Sequence, residues 1–244
     1  MKVVLLLLLA LAPTATAADS GALWHIVSER CVPQQKLTHS PRPCELVDLA
    51  AGYAILKDLV GNTQFLLIPT RQLRGIESPE LLAPGVPNYW QYAWQARRFV
   101  EQRARHQLPR DAIGLTVNSI AGRTQNQLNI HVDCVRLDVS NALRSHASAI
   151  GDSWAKFPTP LASHEYIAMR VADLTSNPFV LLAERAPGAR TDMAHWTLVV
   201  IGSRWQDKDG FVLLAGHAAP ASGNWGEGEQ LLDHACAAAT AASR

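Results

Sequence analysis

Three polar side chains alternate with apolar ones near the middle of the chain, where Gln127, Asn129 and His131 are separated by Leu128 and Ile130. On a β-strand this period of two sets all three on one face, roughly 6 to 7 Å from one to the next. The segment before them, Gly122-Arg123-Thr124-Gln125-Asn126, brings a guanidinium, a hydroxyl and several backbone N–H groups. Such groups hold phosphate oxygens. A sheet whose outer face is simply solvated shows the same alternation, and Arg123 reads either as the neutraliser of a diphosphate or as a solvated loop cation. Asp58 and Asn118 stand at strand ends, where each serves either a ligand or the turn backbone. His131 and Cys134 have the spacing of a metal pair, but one His-x-x-Cys lacks the remaining ligands, so no metal is expected.

The elements that must position these groups follow from periodicity and punctuation. Gly52 to Asp58 and Gln64 to Pro69 read as strands joined by the turn Gly61-Asn62, the second ending at its proline. Ser78-Pro79-Glu80 opens a helix with Ser as cap, and Asn88 caps a longer helix from about Tyr89 to Arg105. Trp90 and Trp94 lie on consecutive turns of that helix, which suits core packing better than a lipid platform. Ala112 to Asn118 and Gln127 to Val135 read as strands flanking the polar loop from Ser119 to Asn126. After a helical stretch near residues 139–150 the pattern recurs: strand 165–171, helix Pro178 to Glu184, strand 197–204, turn 207–210, strand 211–215. The expected fold is α+β, an antiparallel sheet with helices on one face, built as two lobes of about 45–138 and 160–244 sharing one core.

The sequence resembles the histidine-triad superfamily, and more closely its CDP-diacylglycerol pyrophosphatase branch, over most of the chain. The resemblance rests on Leu56-Lys57-Asp58, Pro69-Thr70, Glu77-Ser78-Pro79, Ala93 to Arg97, Asn118-Ser119, Gly122 to Asn126, Ile130-His131, Cys134 and His164 to Tyr166. It implies a HIT-like sheet, and hydrolysis of CDP-diacylglycerol to CMP and phosphatidate through a nucleotidyl-histidine, a form of covalent catalysis that needs no cofactor. In that pattern Gln127 takes the first triad position and His131 the third, where it binds or polarises phosphate. Asp58 would accept hydrogen bonds from ribose hydroxyls, and Asn118 and Thr124 would hold phosphate oxygens. The middle position, which attacks phosphorus, is Asn129. A carboxamide nitrogen is a poor nucleophile, so a second reading stands beside the first: a nucleotide- or nucleolipid-binding protein of the same fold.

Composition and compartment limit the partners. The chain has 244 residues, of which 48% are hydrophobic and 18% charged, with a net charge of +1 and no block of like charges. This is a folding, globular composition with no electrostatic case for nucleic acid. Residues 1–17 read as a signal peptide cut after Ala17 or as an uncleaved anchor, with 18–244 as the functional domain. Either way the domain is expected outside the cytoplasm, in the periplasm and at the inner-membrane surface. The four cysteines allow three pairings. Cys31 and Cys44 flank a short proline-rich loop, which favours Cys31 with Cys44 and Cys134 with Cys236.

Overall fold

The structure, a computed structural model, describes residues 19–237; the expected signal or anchor segment lies outside them. Its centre is an antiparallel sheet of ten strands. The first half holds β1 (Leu46–Asp48), β2 (Tyr53–Lys57), β3 (Phe65–Pro69), β4 (Ile113–Val117) and β5 (Ile130–Val135). The second holds β6 (Ala155–Lys156), β7 (Ile167–Val171), β8 (Trp196–Trp205) and β9 (Lys208–His217). The order across the sheet is β1-β2-β3-β5-β4-β8-β9-β7-β6, and β10 (Leu232–Asp233) pairs with β5. The segment after β9 therefore crosses back to pair with the first half.

Alternation along each strand explains how one sheet serves several packing regions. Tyr53, Ile55, Phe65, Leu67, Leu115, Ile130, Val132, Leu198, Leu213 and Ala215 share a single large core that spans both halves. Helices α3 (Tyr89–Ala104) and α5 (Pro178–Arg185) cover that face, and Trp90 meets Phe179 at 5.1 Å between ring centroids. Trp90 is fully buried, and Trp94 packs edge-on against Phe211 at 4.9 Å, so both tryptophans are core residues. α5 starts as its sequence dictates, with Pro178 in the first turn and Asn177 Oδ1 accepting from Phe179 N at 3.0 Å.

The opposite face is divided. At one end Ala54, Leu56, Leu66 and Ile68 pack under Val27 and Cys31 of an N-terminal helical run, made of α1 (Ala22–His25), a π-helical segment (Ile26–Cys31) and α2 (Val32–Thr38). At the other end Val199, Ile201, Val212 and Leu214 pack against α4 (Leu137–Ser145). Between these apolar regions runs a polar strip. Bonds Cys31–Cys44 and Cys134–Cys236 fasten the first of these helices and the C-terminal segment, with Cα separations of 5.6 and 5.2 Å.

Several local expectations shift. Ser78 opens a 3-10 turn (Pro79–Leu82) and makes no cap; its Oγ accepts from Gly75 N at 3.3 Å. The β8–β9 turn sits at Gln206-Asp207, both at positive φ as a two-residue hairpin turn demands, and the strand resumes at Lys208. β5 begins at Ile130, so Gln127 and Asn129 precede the strand rather than belonging to it. Among the described residues no helix is long and apolar enough to cross a membrane.

Candidate active site

His131 lies in mid-strand on β5, opposite Leu66 of β3 and Thr116 of β4. Its neighbours Ile130 and Val132 enter the large core, so period two turns His131 and Asp133 to the polar strip. The imidazole is nine-tenths buried, and its Nδ1 is buried without a hydrogen bond. Two carboxylates face that nitrogen: Glu229 Oε1 at 3.4 Å and Asp58 Oδ2 at 3.8 Å. Gln64, fully buried on β3's approach, joins them by donating from Nε2 to Asp58 Oδ2 at 2.6 Å and to Glu229 Oε1 at 2.9 Å. Ligand atoms of Asp58, His131 and Glu229 lie within 4.8 Å of one another, a donor set able to share a proton or hold a divalent cation. A second group of metal-ligand type, Asp133 with Cys134 and Cys236, has its sulfurs committed to the disulfide.

Asn118 and Glu229 grip each other reciprocally. Asn118 Nδ2 donates to Glu229 Oε2, and Glu229 N donates to Asn118 Oδ1, both at 3.2 Å. The loop that delivers Glu229 is stapled to the end of β4: Ser119 N donates to Gly226 O at 2.9 Å, and Gly228 N to Thr197 Oγ1 at 3.0 Å. Gly228 has no room for a side chain, since a Cβ there would collide with the hydroxyls of Thr116 and Thr197. Farther along the C-terminal segment, His234 Nδ1 meets Asp133 Oδ2 at 2.9 Å, and its Nε2 lies 3.6 Å from Glu229 Oε1. The hydrogen bond to Asp133 raises His234 above the ordinary imidazole range, against the opposing pull of burial. Neither Glu229 nor His234 was singled out by the sequence. Their only signal was the polar run Glu227 to His234 beside Cys236, because the contacts that give them meaning are tertiary.

The polar strip forms the floor of a cleft of about 610 Å³. Asp58, Asn118, Thr124, Asn129, His131 and Glu229 all line it, so the structure brings together most of the residues expected from sequence. Leu23 and Ile26 of the N-terminal run form part of an apolar wall, a contribution the sequence reading missed. That run also holds the polar loop in place, Asn126 N donating to Ser20 O at 2.7 Å and Leu23 N to Gln125 Oε1 at 3.0 Å.

Two further expected residues, Gln127 and Arg123, also line the cleft, and both are braced by partners within the protein. Gln127 is fully buried at the edge of the cleft; its amide donates to Pro69 O and Arg71 O and accepts from Leu73 N, bracing the chain after β3. Arg123 makes a two-pronged pair with Glu77, both bonds 2.7 Å, so its charge is already matched. Burial works to raise the Glu77 carboxyl, but the Arg123 bonds, its own backbone and Arg74 outweigh it and leave Glu77 below the usual carboxylate range. Lys57 at the cleft wall donates to Asp58 O at 2.6 Å and Gly61 O at 3.0 Å, and burial lowers its ammonium.

Comparison with known proteins places this geometry. A solved structure titled Hnt3 is similar over 47% of this chain and 61% of its own, at 13% identity and a TM-score of 0.31, and no argument rests on it. This chain thus spans about three fifths of the length of that structure. A family model described as CDP-diacylglycerol pyrophosphatase matches residues 18–240, all of the described residues and so every residue of the cleft. The chain therefore belongs to the CDP-diacylglycerol pyrophosphatase family.

Proposed function

We propose that this protein cleaves the pyrophosphate bond of CDP-diacylglycerol to CMP and phosphatidate, outside the cytoplasm at the inner-membrane surface. The observation that carries this reading is the convergence of Asp58, Asn118, Thr124 and His131 on one cleft large enough for a nucleoside diphosphate. The site lies in a chain with an apolar N-terminal run and two disulfides, features that suit an oxidising compartment. Asp58 takes the ribose hydroxyls, and Asn118 and Thr124 take phosphate oxygens.

The chemistry at phosphorus is assigned to His131. Its Nδ1 faces Glu229 and Asp58, which leaves Nε2 to reach the ligand and to take a proton from water. Water attacks the phosphorus on the cytidine side and loses its proton to Nε2. The bond to the bridging oxygen breaks, and the electron pair leaves with phosphatidate, which the imidazolium then protonates. Each step balances without a covalent enzyme intermediate, as it must where Asn129 stands in for a nucleophile.

Asn129 also favours the second reading, retention of a nucleotide or nucleolipid without turnover, because its Nδ2 is engaged by Gln127 O at 2.9 Å and its nitrogen lone pair is delocalised. Purified protein incubated with CDP-diacylglycerol, with CMP release followed and CDP binding measured by calorimetry, separates the two. Release supports hydrolysis. Binding without release establishes the second reading, and absence of both removes the cleft as a nucleotide site.

A further inference from the structure

The strand order reads alike from either edge toward the middle. Each half contributes a strand, a helix on the large-core face and a hairpin: β3-α3-β4-β5 gives β3-β5-β4, and β7-α5-β8-β9 gives β7-β9-β8. β4 and β8 meet antiparallel at the centre, Gly114 opposite Ile201 and Val117 opposite Leu198. An approximate twofold axis through that pair, perpendicular to the sheet, exchanges the halves. The rotation carries the end of β4, where Val117 and Asn118 enter the cleft, onto the end of β8.

A second cleft of about 690 Å³ lies there, lined by Ile201 to Asp207 and by Val212 on the same sheet face as His131. Its chemistry differs from that of the first. On β9 Val212 lines it and Leu214 follows on the same sheet face, apolar where β5 carries His131, and among the described lining residues there is no histidine, lysine or cysteine. Arg110, Arg144, Arg170 and Arg204 line it instead, against Asp111 and Asp207.

The arginines are not equally free. Arg110 is held between the rings of Trp94 and Phe211, at 4.7 and 4.3 Å, and donates to Gly210 O. Arg144 pairs with Asp111 at 2.5 Å, and Arg204 with Asp209 at 3.3 Å, both on half-exposed or exposed side chains. Arg170 is the exception. It stacks over Trp205 at 3.8 Å and donates from Nη2 to the carbonyls of Ala147 and Ile150, and no carboxylate pairs with it among the described residues. A partly buried guanidinium fixed by ring and carbonyls, with Nε and Nη1 uncommitted, is a preorganised anion receptor.

We propose that this second cleft binds a phosphate-bearing ligand, with Arg170 as its anchor and Arg144 and Arg204 closing on the phosphate oxygens. It is a binding site without turnover, the counterpart in the second half of the reactive cleft in the first. The ligand is either a soluble phosphate compound or the phosphate headgroup of a lipid.

The test uses the full chain and variants, with two arms. Sodium pyrophosphate is titrated calorimetrically into the protein, and the protein is co-sedimented with phosphatidylcholine vesicles made with and without phosphatidate. The Arg144→Gln/Arg204→Gln double variant leaves the anchored Arg170 and its carbonyl bonds in place, so it is expected to fold. Arg170→Gln is the second variant, its fold checked by circular dichroism. A double variant of the first cleft, Asp58→Ala/His131→Ala, serves as reference. Expected is a pyrophosphate-binding event, or phosphatidate-dependent sedimentation, weakened at least about tenfold, or about 1.4 kcal/mol, by the arginine variants and retained in the reference. Loss in the titration arm names a soluble source, and loss in the vesicle arm names a headgroup. Binding that disappears only in the reference variant, binding indifferent to the arginines, or no binding in either arm overturns the proposal.

Discussion

At position 129 one substitution distinguishes two routes to the same products. Asn129→His places an imidazole beside Thr124 and His131 in a cleft otherwise unchanged. It is expected to speed CMP release at least about a hundredfold, roughly 2.7 kcal/mol of barrier, with a nucleotidyl adduct trapped by acid quench in a single turnover. A rate no higher than that of the parent chain assigns the attack to water through His131 alone. Arg123 and Glu77 make a different kind of statement, one of stability. Replacing Glu77 with Gln leaves a guanidinium only 7% exposed without its counter-charge, at a cost of about 3 kcal/mol near neutrality. Because Glu77 titrates below its ordinary value of 4.5, the pair's contribution is complete above that pH and fades as pH falls through the lower folded value. Urea melts of both proteins from neutral pH into the acid range should therefore converge. Asp58, Asn118 and His131 came to attention through the family resemblance, since local pattern alone left the first two as turn residues or ligands, and all three line the cleft. Arg123 and Gln127 line the cleft too, but their bracing partners lie 46 to 58 residues away, and no local pattern reveals those bonds.

Helices and strands were read more securely than their edges. α3, α5 and the β2–β3 and β8–β9 hairpins follow from apolar period, the Asn177 cap and turn residues, all of which act within a few neighbours. The expected cap Asn88 makes none on α3 and donates instead from Nδ2 to Leu174 O at 2.6 Å. The N-terminal run was missed because its structure depends on contact with β2 and β3 and on the Cys31–Cys44 bond, neither visible in its own period. The 3-10 turn Gly228–Leu231 was missed for the same reason, yet it delivers Glu229. Gly228→Ala tests how far that turn governs the site. The added methyl meets Thr116 and Thr197, so we expect a loss of about 1 to 3 kcal/mol in thermal melts together with weakened CDP binding in calorimetry. A variant that melts normally and binds CDP as the parent does would show that Glu229 can be placed by another path.

The molecule as a whole is one continuous sheet with the His131 cleft in one half and an arginine-lined cleft in the other. The Cys134–Cys236 bond closes a separation of 102 residues and fixes the returning segment to β5. Replacing both cysteines with serine is expected to cost about 2 to 5 kcal/mol in denaturant melts, and a curve that does not move would place the strength of that junction in β10 alone. The return of that segment also sets a schedule. Glu229 is added 111 residues after Asn118, and His234 and Cys236 later still. A polypeptide growing from its N-terminus holds Asp58, Asn118 and His131 long before the groups that grip them exist. The cleft of the first half stays unfinished until residues 229–236 have been made, so synthesis of that late segment is what completes the site. A nick in the exposed stretch around Gly223 would leave Glu229 and His234 tethered to β5 through the Cys134–Cys236 bond, so only a nick followed by reduction of that bond would release them.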